Sequence, residues 1–219
     1  MEVSVLSAMD GWRVVLEHII QNGVVLKDQD GRLCREVLHC VLTIEDVSRG
    51  LEEPMELLAR SSKWVYPRKE ELAYVMRARK EKSAYEYMYG PRIFSFRGQC
   101  NQLDEFIIPL LRASPTSRRA VVVLYDPFID SRIGGGGSPG LVFLQFRVRE
   151  GALFLSAVIR SNDMFMGWPA NVVQLGMVQE YVAENLGVQR GGITTVSMSA
   201  HVYEENVGDV AAVLAGKVP

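Results

Sequence analysis

The sequence predicts one α+β domain spanning residues 1–219, with no internal repeat, low-complexity tail or linker to divide it. Three observations carry this reading. Apolar residues recur at helical spacing in four separated segments, near 11–22, 67–82, 103–113 and 169–186. Between them lie apolar runs, continuous or alternating, that read as strands. Apolar residues make up 48% of the chain and charged residues 23%, a balance that excludes wholesale disorder.

Taken in order, Asp10 is placed to cap a helix from Gly11 to about Asn22, with Gly23 as its stop. Trp12, Val15, Leu16, Ile19 and Ile20 form its apolar stripe. Residues 24–44 read as two strands around a turn at Asp30-Gly31, and 48–62 as loop or short helix. Pro67 to Lys82 is charged and helix-friendly, with Leu72, Val75 and Met76 facing inward. Leu103 to Ala113 is a second helical face, with Pro109 marking a kink or a boundary. Arg119 to Tyr125 is a continuous apolar run and so a candidate buried strand, and the glycine-rich 133–140 is a loop. Strands at 141–148 and 152–159 flank the hairpin signal Arg149-Glu150-Gly151. Pro169 suits the first turn of a helix ending before Gly187. Ile193 to Tyr203 alternates, with Val196, Met198, Ala200 and Val202 on one face and Ser197, Ser199, His201 and Tyr203 on the other.

Charge narrows the function classes. With 24 basic and 26 acidic residues the net charge is −2, which disfavours an electrostatic grip on a nucleic acid polymer. No apolar run approaches the roughly 20 residues of a membrane helix, and the amino-terminal stretch does not read as a signal peptide. Cys34, Cys40 and Cys100, an odd count in a chain of this size, read as reduced thiols in a cytoplasmic protein.

Four groups of residues could carry chemistry. Arg160-Ser161-Asn162-Asp163 follows a strand and offers a forked cation beside a hydroxyl, a pairing that suits phosphate; alone, such a segment is more often a polar turn. Arg118-Arg119 could form a second phosphate clamp or a solvated basic edge. His201 and Tyr203 project from one strand face and can meet one ligand at two points, unless they are a satisfied histidine beside an exposed tyrosine. Asn171, early in a helix, can present donor and acceptor together, although a lone asparagine there is usually a surface amide. The glycine run lacks the Gly-Lys-Ser/Thr of a phosphate loop, and Cys34, His39 and Cys40 lack zinc spacing. No Gly-x-Ser-x-Gly supports a serine hydrolase.

Read together, these pieces resemble thymidylate synthase and the related pyrimidine-nucleotide hydroxymethylases. The matching segments are AYEYMYGPRIF (84–94), NQLDEFIIPLLRASPTSRRAVVV (101–123), PGLVFLQFRVREGALFLSAVIRSNDMFMGWPAN (139–171) and VSMSAHVYEEN (196–206). The pattern Arg-Ser-x-Asp-x-x-x-Gly-x-Pro-x-Asn is its most specific part; residues 1–83 match loosely, and the end soon after His-x-Tyr resembles the short members. The resemblance implies a mixed β-sheet flanked by helices and a homodimer whose sheets pack face to face. It assigns Arg160 and Ser161 to a nucleotide phosphate, and Arg118 and Arg119 to the phosphate in the other subunit's site. It assigns Asp163 and Asn171 to the base, His201 and Tyr203 to the sugar, and Tyr89 to the base and a catalytic water. Asparagine at 171 is what uracil-nucleotide enzymes carry. Methylenetetrahydrofolate or a related reduced pterin is the implied cofactor.

One departure dominates. The family nucleophile directly follows a proline, and here that pair is Pro139-Gly140. A thiolate would add to C6 of the pyrimidine and make C5 nucleophilic; glycine cannot. Glu70 and Glu71 are the candidates for the family's glutamate base. The favoured reading is a one-carbon (methyl or hydroxymethyl) transferase acting on a nucleoside 5′-monophosphate without a cysteine nucleophile. The alternatives are a non-catalytic nucleotide-binding member, or a synthase or hydroxymethylase whose cysteine was replaced by design.

Overall fold

A computed structural model describes residues 1–80, 87–132 and 137–219. The first strand, β1 (Glu2–Val5), leads into helix α1 (Ala8–Asn22). Ser7 caps that helix by accepting from the Asp10 backbone N–H, so the helix starts three residues before the expected Gly11 and Asp10 lies in its first turn. Gly23 ends it as expected, and Trp12, Val15, Leu16 and Ile19 are buried on its inner stripe. Strands β2 (Val24–Lys27) and β3 (Leu33–Ile44) form the expected antiparallel pair, turning at Gly31 with φ of 80°.

Helix α2 (Glu53–Ala59) occupies the weakly patterned segment, and α3 (Lys69–Arg77) the charged one. Leu72 and Met76 are buried on α3, while Val75 is half-buried and turned to a cleft. Helix α4 spans Tyr89–Phe94. The expected 103–113 helix is split: Gln102–Ile107 is a π-helical turn that runs into α5 (Ile108–Ala113). Pro109 lies at the start of α5, where its missing N–H costs little. After strand β4 (Val121–Val123) and the single turn α6 (Pro127–Asp130), the expected loop at 133–140 lies partly outside the described residues; Gly137 to Gly140 has no regular structure.

Strands β5 (Leu141–Arg149) and β6 (Ala152–Asp163) form the predicted hairpin. The polar segment 160–163 is not a turn, however. It continues β6, paired in parallel with β7 (Gln189–Tyr203) from Ser161 opposite Ser199 to Asp163 opposite His201. Helix α7 (Trp168–Leu186) carries Pro169 in its first turn and ends at Gly187, whose φ is 69°. A 3₁₀ turn and α8 (Val207–Leu214) follow β7.

Among the described residues, the strands form one mixed sheet in the order β1-β3-β7-β6-β5-β4, with β2 pairing the other half of the β3 edge. Two neighbouring rows across that sheet show how it is covered. Leu42, Thr195, Ala157, Leu144 and Val122 lie in register and are all buried, beneath a layer that includes α1 and α7. The adjacent row of Val41, Val196, Val158, Phe143 and Val123 faces the other way and stays partly open. Val123 is 43% exposed, and on the same face so are Phe154 (40%) and Met198 (41%). The expected buried strand at 119–125 is therefore a short edge strand, in which Ala120, Val122 and Leu124 point fully inside while Val123 is exposed. The alternation of β7 does not run unbroken: Thr195 and Ser197 are buried while Val196 and Met198 are open, but past Ser199 it is Ala200 and Val202 that are fully buried, and the buried Ser197 hydroxyl accepts from the Asn162 amide.

Candidate functional site

Two adjoining hollows lie at one end of the sheet. The larger is an open cleft of about 720 Å³ walled by α3, Tyr87, Tyr89 and the first turns of α7. Asn171 and Gln174 face it from α7, three residues apart and so on one helix face. The Asn171 backbone N–H closes on Gly167, while its side-chain amide makes no hydrogen bond among the described residues. The smaller hollow, about 160 Å³, is lined by Ser161, Ser199, His201 and Tyr203, together with Asp28, Cys34 and Glu36.

Gly140 lies near a residue of each, Tyr89 of the larger and Ser161 of the smaller. A Cβ built there would lie 3.0 Å from the Ser161 carbonyl and 3.8 Å from the Tyr89 hydroxyl. The strand hydrogen bond from Arg160 N–H to Gly140 O, at 2.8 Å, fixes its backbone. The Arg160 side chain folds over the same segment, donating from Nε to Pro139 O (3.0 Å) and from a terminal nitrogen to Ser138 O (2.8 Å). Arg160 is otherwise exposed, leaving donors of its five-donor fork for an anion.

Tyr89 is buried, and its hydroxyl oxygen accepts from the Leu141 N–H at 3.3 Å. Burial drives its phenol well above the usual range, and neighbouring Tyr87, 5.7 Å away between ring centres, adds to that. The phenol is a proton donor, never a phenolate, at neutral pH.

Asp163 and His201 are cross-strand partners at the ends of β6 and β7. Asp163 Oδ1 accepts from the Phe165 and Met166 N–H groups at 2.9 and 3.0 Å, so one carboxylate oxygen is committed to the turn into α7. Burial raises its pKa against those hydrogen bonds and the nearby imidazole. Burial likewise lowers His201, opposed by Asp163, and so favours the neutral ring. The His201 and Tyr203 rings meet edge to face at 5.2 Å.

Several participants carried no sequence signal. The Arg32 guanidinium lies 3.4 Å over the Tyr203 ring and pairs with Glu205 at 2.6 Å. Glu36 faces the smaller hollow and accepts the Ser199 hydroxyl at 2.5 Å. Gln174 was legible only through its three-residue offset from Asn171. Of the two glutamates, Glu71 is held as the carboxylate of a capping box by the Arg68 N–H (2.9 Å) and its guanidinium. Glu70 stands exposed at the cleft.

Cys34 lies in the smaller hollow, yet burial and then the Glu36 and Asp28 carboxylates push its thiol up. Burial does the same to Cys40. Both are held as thiols, the unreactive form. Arg118 and Arg119 are exposed at the entry to β4; only their backbones are engaged, with Gln145 and Ser117. They are not brought to the other site residues within one chain. Among the described residues no cluster suited to a metal and no helix able to cross a membrane is present.

A helix-backed mixed sheet in which an Arg-Ser-Asn-Asp strand terminus and a His-x-Tyr strand terminus lie side by side over a polar hollow defines a specific class. The thymidylate synthase family model matches residues 12–218. A protein of Methanosarcina barkeri described as "Putative thymidylate synthase" is 31% identical over 207 residues, covering 94% of this chain and 91% of its own. One so described from Methanothermobacter marburgensis is 32% identical over 222 residues, 97% of both chains. The thymidylate synthase of Bacillus licheniformis is 30% identical over 128 residues, 58% of this chain and 45% of its own. The chain belongs to the thymidylate synthase family.

Proposed function

We propose that this protein transfers a one-carbon unit to a nucleoside 5′-monophosphate without a cysteine nucleophile. The observation that carries the reading is Gly140: it adjoins Tyr89 of the larger hollow and Ser161 of the smaller, and supplies no side chain there. Arg160 and Ser161 take the phosphate, Asn171 and the free oxygen of Asp163 the base, and His201 and Tyr203 the sugar. Asn171 can offer one donor and one acceptor to a uracil-type lactam edge. Tyr89 holds a proton beside Gly140, available to a water or a base carbonyl. Glu70, at the cleft mouth, is the remaining carboxylate for moving a proton to solvent.

The cleft fits a reduced folate. Its volume is ample for a base and a flat pterin together, and Leu72, Val75 and Tyr87 give it apolar walls. Methylenetetrahydrofolate would supply the carbon unit there. With no thiol to activate C5, the base itself must be electron-rich at the accepting atom, through a ring amino or enol-type oxygen substituent.

A homodimer completes the site in this reading. The open row from Val41 to Val123 gives an apolar sheet face on which a second copy can pack. Arg118 and Arg119, exposed at the β4 edge of the same sheet, then reach the partner's phosphate.

Turnover with labelled methylenetetrahydrofolate across a panel of pyrimidine and purine monophosphates tests the proposal. Label appearing in a nucleotide is the expected result. Nucleotide binding without transfer would replace the transferase by a non-catalytic binding member.

A further inference from the structure

We propose that the smaller hollow reads the vicinal hydroxyls of a ribose, so that the site takes ribonucleoside rather than 2′-deoxyribonucleoside 5′-monophosphates. This rests on the nucleotide reading above and specifies its sugar. The starting point is His201, which is 8% exposed, lines the hollow and makes no side-chain hydrogen bond among the described residues. A polar ring so nearly buried and unpartnered calls for a ligand group.

Glu36 stands directly opposite His201 across the β3–β7 pair, so both side chains emerge on one face at close range. One carboxylate oxygen of Glu36 takes the Ser199 hydroxyl, and the other has no partner among the described residues. Neighbouring Asp28 already accepts the Asp30 and Arg32 N–H groups on one oxygen, at 3.0 and 2.8 Å, and its carboxylate is also hydrogen-bonded to the Tyr203 hydroxyl. The nearby cations are engaged as well: Arg32 with Glu205, and Arg35 with Glu204. The hollow is thus an acceptor-rich place with two carboxylates. Its Glu36 and Asp28 side repels an anion and welcomes hydroxyl protons, which leaves a phosphate to the Ser161 side beside Arg160.

A 2′-deoxyribose offers this hollow one ring hydroxyl. A ribose offers two on the same side, one for His201 or Tyr203 and one for the open oxygen of Glu36. An acidic side chain accepting a ribose 2′-hydroxyl is a contact that dinucleotide-binding folds also make. Glu36 is half-buried, and once a bound sugar covers it, an acceptor left without its hydroxyl makes the deoxy analogue bind worse, beyond the simple loss of a contact.

Calorimetric titration of matched pairs, uridine with deoxyuridine monophosphate and cytidine with deoxycytidine monophosphate, tests this whichever base is preferred. The unaltered protein should bind the ribonucleotide about tenfold or more tightly, as a hydrogen bond to a charged group predicts. The arabino epimer, whose 2′-hydroxyl points the other way, should behave like the deoxy compound. Glu36→Ala should bring ribo and deoxy affinities together. The isosteric Glu36→Gln, safer for folding because it still accepts from Ser199, should narrow the gap. Sugar-blind or deoxy-preferring binding by the unaltered protein overturns this inference alone, as does a ratio that survives in both variants. Failure of every nucleotide in both sugar series overturns the nucleotide reading and this inference with it.

Discussion

Introducing the missing thiol, Gly140→Cys, asks whether the rest of the site still performs family chemistry. Gly140 does not have a left-handed backbone, so cysteine is conformationally allowed. The new Cβ would sit 3.0 Å from the Ser161 carbonyl, closer than carbon and oxygen prefer, and that carbonyl belongs to a strand held on both sides. Overpacking of this kind costs about 1–3 kcal/mol. Removing glycine's freedom in the unfolded chain returns about 0.4–1 kcal/mol. The net cost is up to about 2.5 kcal/mol, and a chain of this size loses roughly 2–4 °C of Tm per kcal/mol, hence at most about 10 °C. The variant should stay folded at room temperature, with its sulfur beside Tyr89 and Ser161. Intact-mass spectrometry after incubation with methylenetetrahydrofolate and 5-fluorouridylate, in ribo and deoxy forms, should show a covalent adduct on the variant and none on the unaltered chain. An adduct on the unaltered chain, at Cys34, Cys40 or Cys100, would refute the reasoning. So would a folded, nucleotide-binding Gly140→Cys protein that never forms one.

Other outcomes are checked more simply. Arg160→Ala should weaken nucleoside monophosphate binding about tenfold or more while leaving the free nucleoside nearly unaffected, because one charge-assisted contact is worth roughly 1.5–3 kcal/mol; calorimetry on both ligands measures it. Mixing subunits carrying Arg118→Ala and Arg119→Ala with subunits carrying Arg160→Ala should restore one working site per mixed dimer, read as recovered nucleotide binding over either parent. Asp130→Ala strips the partner from Arg92, whose guanidinium is buried in a two-pronged ion pair, and should cost about 3–5 kcal/mol in denaturant melts. Burial depresses the His201 pKa below its unfolded value near 6.5, so its contribution to stability is present above that pH and lost as pH falls through the folded value. Melting from pH 7.5 down to pH 5 should show that loss, and His201→Gln should flatten it.

Sequence patterns located the elements whose signals are local. Helix α7 begins with Pro169 and stops at a left-handed Gly187, both of which act within one turn of chain. The β2–β3 turn at Gly31 and the β5–β6 hairpin were legible for the same reason. What failed was non-local. Arg160 to Asp163 looks like a polar turn because its reason for staying extended is a parallel partner some 38 residues away in β7, whose Ser199 and His201 make that edge polar too. The valine run of β4 looks fully buried because sequence cannot tell a covered sheet face from an open one. The Arg-Ser-x-Asp and His-x-Tyr residues stand out by their own chemistry and take their expected roles from the resemblance, and the smaller hollow does bring Ser161, His201 and Tyr203 together. Glu36 and Arg32 were invisible, since only the pairing of β3 against β7 brings them to the hollow.

That pairing has a consequence for how the protein fails. Arg160, Ser161, Asp163, His201 and Tyr203 ride on β6 and β7, flanked by β5 on one side and β3 on the other. Loosening any of them means unzipping central strands rather than lifting a loop, so their amide hydrogens should exchange as slowly as those of the core. Gly140 is different, for it lies at the last residue before β5, beside a segment with no regular structure. In the proposed reading, grip and chemistry are therefore mounted on parts of unequal rigidity. On warming, the strand-borne groups should keep their arrangement until the fold itself is lost, whereas the segment before β5 should loosen earlier; a side chain at 140 still presses on the Ser161 carbonyl of the central strand.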